Sequence, residues 1–144
     1  MAKISDVLKE KGTQVYSVDR QTTVYDAIKL MAEKNVGGLV VTAAGQVVGI
    51  ITERDYLKKV ILQGKASNTT AVEEIMTEKV VVVTPDQTVE SCMAIMAEKN
   101  CRHLPVMEQG VLAGVVSILD LTRQLTREQQ TTIKYLQDYI YGKC

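Results

Sequence analysis

The pentapeptide MAEKN occupies residues 31–35 and returns at 96–100. A shift of 65 positions aligns residues 18–59 with 83–124 without a gap. Val18/Val83, Thr23/Thr88, Leu39/Leu104, Gly45/Gly110, Gly49/Gly114 and Asp55/Asp120 are among the identities. The chain is therefore a tandem duplication, and no other feature constrains its fold as strongly. Each copy has about sixty residues, close to the lower limit for an independent core. Copies of that size are expected to bury apolar faces against each other, as stacked repeats do, giving one compact unit of two halves. The repeat divides the chain into a first copy at 1–63, a polar linker at 64–71, a second copy at 72–125 and a C-terminal helix at 126–144.

Within each copy the hydrophobic period changes in a fixed order. Val24, Ala27, Ile28 and Met31 lie at i, i+3, i+4 and i+7, one stripe of a helix, and Val89, Cys92, Met93 and Met96 repeat it. Thr23 with Asp26 resembles a capping box that starts the first of these helices. Two short apolar runs follow, GGLVV and VVGII, with Gly45 suited to a tight turn between them. A second helix is expected at ERDYLKKVILQG and at LDLTRQLTREQQ, and a short opening strand at VYSV and at VVVVT. The order is β-α-β-β-α, twice, an α/β fold with an added C-terminal helix. In that helix Ile133, Leu136 and Ile140 form a stripe with Tyr135 and Tyr139 beside it, suited either to the chain's own core or to a dimer interface.

Composition removes several functions. Lys plus Arg and Asp plus Glu are equal at 17 each, so no net field draws the chain to nucleic acid or to an anionic membrane. No apolar run reaches the roughly 18 residues of a membrane span. The start, MAKISDVLKEKG, lacks an apolar signal core, so a cytoplasmic location is expected. Cys92, Cys101 and Cys144 are odd in number and form no C-x-x-C pair, so they read as reduced thiols, with no metal site expected. With one histidine and no glycine-rich phosphate loop, catalysis is not expected either.

The motif that asks for chemistry is GIITERD at 49–55, answered by GVVSILD at 114–120. What survives is a glycine, a hydroxyl (Thr52, Ser117) and, three residues on, a carboxylate (Asp55, Asp120). One reading is purely structural, with the hydroxyl as helix N-cap and the Asp at N3. The other is a ribose grip, because an ionised carboxylate can accept a hydrogen bond from each of two neighbouring hydroxyls. The two readings are compatible.

This β-α-β-β-α copy, ending in G-h-h-[TS]-x-x-D (h apolar) and carrying an RHLPV strand, resembles the cystathionine β-synthase (CBS) domain. Two copies resemble the CBS pair, or Bateman module, over residues 4–125, in its small stand-alone form. The resemblance implies an adenosyl ligand such as AMP, ADP, ATP or NAD(H), held in clefts between the copies. It implies that Thr52, Asp55, Ser117 and Asp120 hold the ribose and that Val18, Val36, Val83 and Cys101 lie against the adenine. It also places Arg102 and His103 on phosphate, and Arg54, in the first turn of its helix, is a further candidate. Gly37 and Gly38 align with Arg102 and His103, so the two sites are expected to differ, the second preferring the more anionic ligand. The implied function is a sensor of energy or redox state that signals to a partner protein as a homodimer of pairs. A ligand-free dimerisation scaffold, or a regulator of a redox enzyme such as a thioredoxin, stands as the alternative.

Overall fold

Thr23 and Thr88 start equivalent helices by the same bond. The Thr23 hydroxyl accepts the Asp26 N–H at 3.2 Å and opens α2 (Val24–Lys34), and the Thr88 hydroxyl accepts the Ser91 N–H at 3.1 Å and opens α4 (Val89–Lys99). Both helices end on the asparagine of MAEKN, Asn35 at φ 55° and Asn100 at φ 53°. Asparagine tolerates this left-handed cap better than most residues, which gives the repeated pentapeptide a local structural reason.

The chain then turns into two hairpins. β2 (Gly38–Ala43) pairs antiparallel with β3 (Gln46–Thr52), and β4 (His103–Glu108) with β5 (Val111–Ser117). Each turn has positive φ at both central residues, Ala44–Gly45 and Gln109–Gly110, the two-residue geometry that matches strand twist. This computed structural model describes residues 2–141, and of residues 130–141 the backbone alone. The expected stripe of Ile133, Leu136 and Ile140, its flanking tyrosines and Cys144 lie outside the described side chains.

The opening strands differ between the copies. β1 (Ser17–Asp19) runs parallel to β2, with Val40 N–H donating to the Tyr16 carbonyl at 3.3 Å. In the second copy the expected strand at VVVVT reduces to one bridge, Val83 to Val106. The residue aligned with Val40 is Pro105, which has no N–H to extend the ladder. The helices after the hairpins differ too. α3 (Glu53–Lys59) is followed by a 3₁₀ turn at Ile61–Gln63, whereas α5 runs unbroken from Ile118 to Tyr141. No glycine or proline interrupts 118–141, so the second-copy helix and the expected C-terminal helix are one.

Packing divides the chain into two units, Gln14–Val82 and Met1–Thr13 with Val83–Cys144. This division is not that of the repeat, because each body holds the lead-in segment of the other copy. In the first unit Val72 and Ile75, from the 3₁₀ turn Val72–Glu74 and its end, enter the core with Val24, Met31 and Leu39. Val72 N–H donates to Thr22 at 2.8 Å and Glu73 N–H to Arg20 at 3.0 Å. The second unit repeats this with α1 (Ile4–Lys11), where Ile4 N–H donates to Gln87 and Ser5 N–H to Pro85, both at 2.9 Å. Ile4, Val7 and Leu8 are buried there, and α1 packs on β5 and α5.

Candidate functional site

The two hydroxyl–carboxylate pairs sit at identical junctions. Thr52 caps α3, its hydroxyl accepting the Asp55 N–H at 3.3 Å, while Asp55 Oδ2 accepts the Thr52 N–H at 3.0 Å. Ser117 and Asp120 do the same at the start of α5, at 3.2 and 2.8 Å. The capping reading is thus realised in both copies. The remaining chemistry depends on what else each carboxylate holds.

Asp55 is 8% exposed and its acceptor positions are filled by the fold. Oδ2 also takes the Thr52 hydroxyl at 3.2 Å, and Oδ1 takes Lys59 Nζ at 3.1 Å and the Thr77 hydroxyl at 3.4 Å. A carboxylate offers about four lone-pair sites, and four donors are present. Lys59 is also tied to the Ile75 carbonyl at 2.9 Å.

Asp120 is served differently. Position 124, equivalent to Lys59, is Gln, and the counter-ion comes from α1, where Lys11 Nζ lies 2.5 Å from Asp120 Oδ2. Lys11 also donates to the Val115 carbonyl at 2.7 Å. The equivalent carbonyl in the first unit, that of Ile50, accepts the backbone N–H of Thr77 at 2.8 Å. One lysine ammonium therefore replaces what Thr77 and Lys59 do together. The Lys11 ammonium and the Ser117 N–H both donate to Oδ2 of Asp120. Burial pushes the Asp120 carboxyl up, but the hydrogen bond and charge of Lys11 and the bonds from Ser117 outweigh it and hold the group below 3.8.

The residues across the ladder from the two pairs differ. Gly38 lies directly across the β2–β3 ladder from Thr52, and His103 directly across β4–β5 from Ser117. Arg102 is adjacent, its carbonyl accepting the Ile118 N–H at 2.9 Å, and its side chain is exposed. Burial, with the charges of Lys11 and Arg102, lowers the His103 pKa against the smaller pull of Asp120. The ring is therefore neutral at pH 7, and positive charge at this site rests on Lys11 and Arg102. Arg54 lies half-buried in the first turn of α3.

The four residues expected against adenine are unequal. Val18 and Val36 are half-buried, Val83 is 1% exposed, and Cys101 is half-buried with its thiol pushed up by burial. Cys92 is buried and, like Cys101, free. A cavity of about 300 Å³ opens between α2 and α3, and of the expected ligand-site residues Val36 lines it, with Ile28, Tyr56 and Leu57. Lys11, Lys59 and Thr77 were not found by sequence reasoning. Lys59 carried a signal, being four residues from Asp55 on one helix. Lys11 carried none, lying 109 positions from Asp120.

The CBS domain profile matches residues 4–62 and 72–127. The chain is 43% identical to the mitochondrial CBS domain-containing protein CBSX3 of Arabidopsis thaliana, across 96% of this chain and 72% of that one. A protein with CBS domains from Burkholderia ambifaria superposes with a TM-score of 0.86 at 46% identity, covering 89% of this chain and 96% of that chain. The CBS domain pair of protein MJ0100, solved with 5′-methylthioadenosine and S-adenosyl-L-methionine, superposes at 0.77 with 25% identity, covering 89% and 98%.

Proposed function

Because the chain belongs to the CBS-domain family as two copies in tandem, we propose that it is a non-catalytic regulatory module that binds an adenosyl ligand. CBS pairs are regulatory modules, and the MJ0100 pair was solved with two adenosine compounds. The ligand class is AMP, ADP, ATP or NAD(H), and the output is a signal of energy or redox state to a partner protein in the cytoplasm. The observation that carries this reading is the Asp120 carboxylate, held through Oδ2 by the Ser117 N–H and by Lys11 from another helix, with His103 across the ladder from Ser117. A carboxylate whose counter-ion is a lysine from another helix suits a ribose that carries phosphate. Cys101 is the half-buried adenine-side candidate of that site, with Val83 buried. Val18 and Val36 are the adenine-side candidates of the first copy and Arg54 its phosphate candidate.

The filled acceptors of Asp55 favour a second reading for the first copy alone. There Thr52 and Asp55 serve as a helix cap, and that half acts as scaffold. Homodimerisation belongs to the same proposal, supported by the apolar surface of the first unit, where Leu57 and Leu62 are 54% and 76% exposed.

A thermal-shift panel of AMP, ATP, NAD and NADH tests the function. Ligand at a hundredfold its Kd stabilises by about 2.7 kcal/mol, several degrees for domains of this size. If none of the four moves the melting temperature at millimolar concentration, the sensor reading fails.

A further inference from the structure

We propose that Lys11 is the residue by which the Ser117/Asp120 site selects phosphate-bearing nucleosides over neutral ones. The inference rests on the reading of that site as a ligand site. Lys11 is the last residue of α1, and Gly12 follows it at φ +92°. Its ammonium sits on Asp120 Oδ2, the oxygen a ribose needs if both of its hydroxyls are to be held by one carboxylate. In the first unit the counter-ion is Lys59 of α3 itself, on Asp55 Oδ1, and the other acceptor positions of Asp55 are taken by Thr52 and Thr77, so moving the lysine there would not free the carboxylate.

A neutral nucleoside must compete with Lys11 for Oδ2 and offers the displaced ammonium nothing. A phosphate gives it a stronger acceptor, and the flexible lysine stem lets it swing without moving the backbone. Lys11 also keeps a third N–H beyond those used on Asp120 and Val115, so partial displacement suffices. Arg102 is exposed at the same edge and His103 is neutral, which leaves Lys11, among the described residues, as the cation in direct contact with the carboxylate.

His103 is the sole histidine and lies across the ladder from Ser117, so its imidazole resonances report this site. The experiment follows them by NMR in the full chain while AMP or adenosine is added. Wild type should saturate with AMP at about tenfold lower concentration than with adenosine, the effect of one charge-assisted hydrogen bond. Lys11→Met should abolish that preference and Lys11→Arg should keep it. Lys11→Gln, which retains a donor for Val115, removes the charge with less disturbance should the Met variant not fold. Melting temperatures recorded alongside separate the roles, since a merely structural lysine would weaken both ligands equally. An AMP preference that survives in the Met or Gln variant overturns the inference. If neither ligand perturbs His103 in wild type, the ligand-site reading itself fails and this inference falls with it.

Discussion

A methyl group on Gly49 would come within 2.8 Å of both the Met76 sulfur and the Thr77 carbonyl oxygen, and one on Gly114 within 2.7 Å of a Leu8 methyl. The repeated glycine therefore makes room for the lead-in segment, a packing demand separate from the chemistry of the hydroxyl and carboxylate. At Gly49 one obstacle is backbone, and at Gly114 only the end of a leucine. Gly49→Ala should accordingly cost about 1–3 kcal/mol in urea unfolding and Gly114→Ala less, and equal costs would contradict this geometry. His103 makes the second prediction. Its pKa is depressed below 6.5 in the fold, so below that value the unfolded chain binds a proton that the folded chain refuses. Stability should fall as pH drops from 6.5 through the folded pKa, and His103→Gln should flatten the urea midpoint over that range. Asp120, also depressed, adds a separate loss only below its usual 3.8.

At the scale of elements, most of the fold was legible because each signal occurred twice. Helix starts at Thr23 and Thr88, the Gly45 and Gly110 turns and the Thr52 and Ser117 junctions all followed from local chemistry. The missing second-copy strand was also written in the chain, as Pro105 where the first copy has Val40, but a run of valines outweighed it. The exchange of α1 and the Val72–Glu74 turn was not legible, since a repeat alignment assigns each lead-in to its own copy. For the same reason the site was only half readable. Asp120 was found by its repeat, while the lysine that neutralises it arrives on an element the repeat gives to the other half.

For the whole molecule, the exchange fixes where the chain can be cut. A fragment of residues 14–82 contains the complete first unit, whereas 1–63 lacks Val72 and Ile75 and leaves its core open. The first should unfold cooperatively in urea with the higher midpoint, and equal midpoints would show that the lead-in contributes nothing. Function at this scale turns on whether a repeated hydroxyl and carboxylate hold a ribose or only cap two helices. Calorimetric titration of the wild-type chain with AMP and with its 2′,3′-dideoxy analogue asks this directly, since the analogue keeps base and phosphate and loses both ribose hydroxyls. AMP should bind at least about tenfold more tightly than the analogue, and equal affinities would contradict the ribose grip.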